Sequence, residues 1–237
     1  MTSFAMHQPN YLPWLGWFDK LAKADVFVLL DAVQYPRGRS FASRNRILTA
    51  QGPQWLTMPA SVPAGRKGKA AYTEIAIADA GAPARHLKTL RMAYARAPHT
   101  EEMLGLYEQA LEAAGDGMLC TLNVALIEQV AGYLGIDTPI VRLGELLDEF
   151  GQQSQLIVDI GRELGADTYL SGDGGGHDYN DEQLLGEAGI ALAYQGFEHP
   201  TYEQPGSGEF EPGMCVLDLV ACCGSESARV LGITQRA

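Results

Sequence analysis

"HQPNYLPWLGWFDKLAKADVFVLLD", residues 7–31, decides the class of fold. The apolar run "SFAM" (3–6) leads into it as a short strand. "HQPNYLP" then reads as a turn, because Pro9 fixes its own φ and Asn10 can bond its own backbone. "WLGWFDKLAKA" (14–24) has the spacing of a helix, and "DVFVLLD" (25–31) that of a buried strand. Strand, turn, helix and strand in this order open a parallel α/β sheet.

The rest of the chain keeps the alternation. "QWLTMPAS" (54–61) is a further apolar run, and "YTEIAIAD" (72–79) alternates like a half-exposed strand. Helices are predicted over 82–97, 101–114 and 119–135, the first stopped by Pro98. "GIDTPIVRLGEL" (135–146) supplies a strand, and "SQLIVDIGRELGA" (154–166) a helix with Ser154 as its cap and Gly165 as its stop. "DTYLSG" (167–172) is a short buried strand, "DEQLLGEAG" (181–189) a helix and "IALAYQGFE" (190–198) a strand. Helices over 214–224 and 225–232 close the chain. The expected fold is one α/β domain over residues 1–237, a doubly wound, mainly parallel, Rossmann-like sheet with helical elements at the C-terminus.

Composition narrows the function classes. A net charge of −12 and a pI near 4.8 argue against broad nucleic-acid binding, which relies on neutralising phosphates. Two basic islands, "RGRSFASRNR" (37–46) and "GRKGK" (65–69), suit a small anionic ligand or partner, or are solvated loop charges. Among the four cysteines there is no CxxC pair, so no structural zinc site is expected; the chain shows no other metal motif, and no cofactor is expected. No apolar run is long enough to span a membrane and no secretory leader is visible, so a cytoplasmic protein is expected.

In doubly wound sheets, ligands bind beyond the carboxyl ends of the strands. Three predicted strand-end loops carry most of the chemically able residues: "HQPNYLP", "DAVQYPRGR" (31–39) and "GDGGGHDY" (172–179). His7 can act as a general base or bind an anion there. Gly174, Gly175 and Gly176 can form a backbone anion nest, beside His177 as a cation and Asp178 and Tyr179 as ligand-orienting groups. The stretch has neither P-loop nor GxGxxG spacing, and the plainer alternative is a turn in which Asp178 caps the next helix. Asn10, Tyr11, Asp31 and the trio Arg44, Asn45 and Arg46 complete the expected binding set, with Trp14 and Tyr35 as aromatic walls and Trp17 in the core. Cys215, at a predicted helix start, has two readings. It is a nucleophile with His199 and Asp218, or it is a helix cap of the S-x-x-D kind.

Long motifs carry a family resemblance. "HQPNYLPWLGWFDKLAKADVFVLLDAVQY", "RNRI" and "GPQWLTMP" resemble the N-terminal signature of the WbqC-like family. "LGADTYLSG", "GGGHDY", "DEQLLGEAGI", "HPTYEQ" and "VLDLVACCG" resemble its C-terminal signature. The resemblance covers nearly the whole chain. It implies a place in bacterial O-antigen or natural-product biosynthesis and modification of amino sugars or related amines by acylation or aminoacylation. In the family a basic residue often stands at the place of His177 and a serine at the place of Cys215. A weaker resemblance, to nucleotidyltransferases related to pantothenate synthetase, rests on the early strand–turn–helix and the late "GGGHDY"; the paired histidines of that family's first turn are missing from "HQPNYLPW".

The expected activity is transfer of an acyl or aminoacyl group to a small-molecule amine, from a carrier-protein thioester or an aminoacyl-tRNA. The alternatives are a nucleotide-dependent ligase or nucleotidyltransferase-like enzyme, and a non-catalytic binding protein.

Overall fold

The computed structural model describes residues 1–174, 180–206 and 208–233. It contains two compact units. The first comprises residues 1–8, 19–32 and 138–198; the second comprises 9–18, 33–137 and 199–237.

The first unit is built on a five-stranded sheet. Its strands are β1 (Ser3–His7), β2 (Val26–Leu29), β7 (Ile140–Arg142), β8 (Thr168–Ser171) and β9 (Ala191–Tyr194), and every neighbouring pair is parallel. Their order is β7-β2-β1-β8-β9. The chain thus works outward from β1 to one edge, returns, and works outward from β8 to the other. Right-handed connections then cover both faces. "SFAM", "DVFVLLD", "PIVRL" and "DTYLS" therefore share one parallel sheet, as their apolar runs predict. Phe4, Ala5, Phe27, Val28 and Leu29 are fully buried at its centre.

Helix α6 (Ser154–Leu164) packs on β8. It ends at Gly165, which takes the left-handed conformation (φ 61°, ψ 30°) that glycine adopts at little cost. Ser154 does not cap its own helix: Gln153 holds the capping position, and the Ser154 hydroxyl accepts the Asp181 N–H at 2.9 Å. Asp181 caps the next helix, α7 (Glu182–Glu187), by accepting the Leu184 N–H at 3.0 Å. Asp178, the cap candidate of the sequence, lies outside the described residues. Asp181→Ala should lower stability by about 1 kcal/mol, measurable by urea denaturation.

The second unit holds α2 (Ala82–Ala93), α3 (Thr100–Ala113), α4 (Leu119–Tyr133), α8 (Val216–Cys223) and α9 (Ser227–Val230). It also holds an antiparallel hairpin of β3 (Arg44–Thr49) and β4 (Gly52–Thr57), and the short pair β5 (Ala60–Ser61) and β6 (Ala76–Ile77). The strand expected over 72–79 shrinks to β6 because residues 72–74 form a 3₁₀ turn. Helix α4 is buried on most of its surface, including Asn123, whose amide donates to the carbonyls of Pro9 and Ala42 at 2.7 and 2.8 Å. Remaining elements are α1 (Leu15–Lys23), along which the chain passes between the units, and α5 (Leu143–Leu146).

Candidate functional site

In the first unit the order of strands reverses between β1 and β8. Such a reversal leaves a crevice at the carboxyl ends of the two strands. His7 is the last residue of β1, and Gly172 follows β8 directly. Lys20, on α1, reaches this end of the sheet: its ammonium donates to the Met6 carbonyl at 3.0 Å and lies 5.9 Å from the centre of the Phe27 ring. A Cβ on Gly172 would stand 3.9 Å from Lys20 Nζ and 3.8 Å from Gln195 Oε1, so both side chains border that glycine.

Lys20 is only 5 % exposed. Burial disfavours its charged form and brings its pKa from 10.5 to about 8. His7 is partly open, and its Nδ1–H donates to the Gln8 carbonyl at 3.1 Å. Loss of solvation, and then the charge of Lys20, lower the imidazole pKa to about 3, so the ring is neutral at physiological pH. The neighbourhood is tied by hydrogen bonds. Gln195 donates to Asp19 at 2.6 Å, and Asp19 pairs with Lys23 at 2.9 Å. Asn180 donates to the Ser171 hydroxyl at 3.0 Å. Asp173 accepts the N–H groups of Gly196 and Phe197 at 2.9 and 2.7 Å and so anchors the start of the glycine-rich stretch.

Other expected site residues of this unit fare differently. Asp31 is buried and held by Arg142 at 2.7 Å and the Gly144 N–H at 3.1 Å, which gives it a structural part. Gly174 is exposed with open space around it. Gly175, Gly176, His177, Asp178 and Tyr179 lie outside the described residues.

Asn10, Tyr11, Arg44, Asn45, Arg46, His199 and Cys215 belong to the second unit. Asn10 is buried. Tyr11 has no exposed surface; its hydroxyl is shared between His86 Nδ1 at 2.7 Å and the Tyr107 hydroxyl at 2.8 Å. Asn45 is fully buried and donates to the Leu12 carbonyl at 2.6 Å. The Arg46 guanidinium donates to the carbonyls of Pro212 and Gly213 at 3.3 and 3.1 Å. Of the trio, Arg44 lines an open cavity. Trp17 is core, as expected, while Trp14 stays partly open against Phe41.

Cys215 precedes α8 and has no exposed surface. Burial, and then the nearby Asp218 carboxylate, push its thiol up to about 12. A nucleophilic cysteine needs the opposite shift. The N–H groups of Leu217 and Asp218 lower that value in part, yet the thiol makes no capping hydrogen bond. His199 has both ring nitrogens engaged: Nδ1–H donates to the Pro200 carbonyl at 2.8 Å and Nε2 accepts the Gly213 N–H at 3.1 Å. Asp218 accepts from Tyr202 at 2.7 Å and Gln204 at 2.8 Å. Both ring nitrogens of His199 thus bond backbone groups, and neither bonds Cys215 or Asp218. What holds Cys215 in place is its backbone, whose N–H donates to the Arg46 carbonyl at 2.9 Å.

Lys20 is not marked out in the sequence. Its only signal is a lysine in the last turn of an amphipathic helix, which reads as a solvated cation or a helix-dipole partner. Among the described residues no group of three or more potential metal ligands occurs, and no helix is long and apolar enough to cross a membrane.

Residues 8–230 match the WbqC-like protein family. An uncharacterised protein of Mycobacterium tuberculosis is 31 % identical over 228 residues, covering 96 % of each chain. No solved structure matches the chain.

Proposed function

This chain belongs to the WbqC-like protein family, and we propose that it is a biosynthetic transferase that moves an acyl or aminoacyl group from an activated donor onto a small-molecule amine. The observation that carries this reading is Lys20: a buried lysine with a pKa near 8, set where the strand order reverses. A general base works best when its pKa lies near the operating pH. Lys20 meets that condition; the neutral His7 beside it, with a pKa near 3, is the weaker base and serves as a hydrogen-bonding partner.

In the proposed step the acceptor nitrogen attacks the donor's carbonyl carbon. The C–N bond forms, the attacking nitrogen gives its proton to the Lys20 amine, and the C–S bond of a thioester or the C–O bond of an aminoacyl ester breaks. The departing thiolate or alkoxide takes the proton from the lysine. An amino sugar is the acceptor class, in the surface-glycan or natural-product setting that the family resemblance implies. The thiols of Cys215, Cys222 and Cys223, which form no disulfide, suit the reducing cytoplasm.

The test is turnover with thioester and aminoacyl donors and amino-sugar acceptors. For the wild type, kcat/KM should rise with pH to a plateau above about 8, because the reactive species is the free amine. Lys20→Arg keeps the charge but cannot release its proton at these pH values, so it should be as inactive as Lys20→Met. Full activity of Lys20→Arg would exclude the base role. A second reading, a nucleotide-dependent ligase, draws support from the order of strands, which is the one that nucleotide-binding sheets use. Release of pyrophosphate from ATP or CTP would favour it over direct transfer.

A further inference from the structure

The second unit contains a cavity of about 350 Å³ between the hairpin β3–β4 and the segments 35–39 and 59–70. Its size suits a small molecule. Arg37, Arg39, Arg44 and Lys67 line it, and no aspartate or glutamate does. Among the described residues none of these four cations forms an ion pair, whereas the neighbouring Arg66 is held by Glu74 at 2.7 Å. Four unpaired cations around one cavity repel one another. On a protein of net charge −12, that repulsion would be relieved by an anion bound among them.

Arg44 is the organised member of the set. Its guanidinium carbon lies 4.0 Å from the centre of the Trp55 ring, a cation–π contact that fixes the plane of the fork. Its Nε is buried without a hydrogen-bond partner. A buried donor left unpaired is costly unless a ligand accepts from it. The rest of the wall is apolar or aromatic, from Tyr35, Met58, Pro59 and Val62.

We propose that this cavity binds a phosphate-bearing small molecule. Arg44 would take a phosphate through its planar fork, with Arg37, Arg39 and Lys67 adding charge and the apolar wall taking the organic part. The small volume of the cavity and the net charge of −12 favour a small ligand over a nucleic acid strand. The proposal does not rest on the transferase reading: the residues lining the cavity belong to the second unit and Lys20 to the first.

Calorimetric titration of the full chain tests it, with pyrophosphate, adenosine 3′,5′-bisphosphate, coenzyme A and ATP as probes, at about 0.05 and 0.15 M salt. At least one organic phosphate should bind with micromolar affinity, more tightly at low salt, and at least tenfold more tightly than its dephosphorylated counterpart. Arg44→Gln should weaken it at least tenfold, and Arg66→Gln should leave it unchanged. Should Arg44→Gln fail to fold, the double variant of the exposed Arg39→Gln and Lys67→Gln replaces it, with the same loss expected. No binding at millimolar concentration, or equal weakening by Arg66→Gln, would overturn the proposal. So would preference for a long RNA or heparin over every small phosphate, which would make the charge a diffuse surface feature.

Discussion

Lys20→Met should yield a protein more stable than the wild type and without transferase activity. The native state lowers the Lys20 pKa from 10.5 to about 8. Between those values the unfolded chain binds more protons than the folded one, so stability rises with pH across that window. Below about pH 8 the penalty is fully present. At 1.36 kcal/mol per unit it amounts to about 3 kcal/mol for the shift from 10.5 to about 8. Methionine removes this penalty and keeps most of the side-chain volume. The lost hydrogen bond to the Met6 carbonyl returns about 1 kcal/mol, so the net gain at pH 7 should be about 2 kcal/mol. Urea denaturation at pH 7 and at pH 10.5 measures it; the advantage should vanish at the higher pH. Loss of a general base lowers the rate by about a hundred- to ten-thousand-fold. An inactive variant that is also destabilised at pH 7 would mean that Lys20 supports the fold and is no functional burden on it.

Acidification should destabilise the protein through His86, in the second unit. This ring is 8 % exposed and bonded to the Tyr11 hydroxyl at 2.7 Å. Burial, only partly opposed by a backbone hydrogen bond with Thr57, lowers its pKa from 6.5 to about 4. A depressed histidine pKa means that the unfolded state binds the extra proton as pH falls below 6.5. Stability is therefore complete above that value and is lost from 6.5 down to about 4, by about 3 kcal/mol in all. His86→Gln keeps a neutral hydrogen-bonding side chain without the titration. Its stability should be flatter between pH 6.5 and 4, whatever its value at pH 7. Denaturant midpoints at half-unit pH intervals decide this. His7 has the same sign of shift and adds a smaller loss than its pKa alone implies, because its ring keeps some solvent screening.

Cys215 and Lys20 make opposite points about reading sites from sequence. Cys215 has the outward signs of a nucleophile: a helix start, a histidine sixteen positions earlier at His199 and an acid one turn later at Asp218. Burial reverses the shift that role needs, and burial is not written in the spacing. Lys20 has no outward sign, since a lysine near a helix end is common. Its environment is made by β1, β2 and β8, two of which lie close in sequence and one about 150 residues away.

The hairpin β3–β4 shows the same limit. "RNRI" and "GPQWLTMP" are close to a two-residue turn, yet the polar Asn45 at a buried position between Arg44 and Arg46 hides the period-2 signal. Pairing, with Trp55 beneath Arg44 and Arg46 drawn to residues 212 and 213, makes one arginine a cavity wall and the other a clamp.

By itself the sequence determined the class of fold and the members of its sheet. Local apolar runs, helical spacing and turn residues such as Pro9 and Gly165 act over a few residues, and they marked β1, β2, β7 and β8 together with the helices between them. The family was legible for the same reason, because its motifs are continuous. The tertiary structure alone decided the burial, charge and hydrogen bonding of the polar residues. Desolvation, charge neighbours and hydrogen-bond partners depend on segments far apart in the chain, so only the folded molecule could bury Tyr11 and Asn45, neutralise His7, lower Lys20 and set Arg44 on Trp55 at the wall of a cavity with its Nε unbonded.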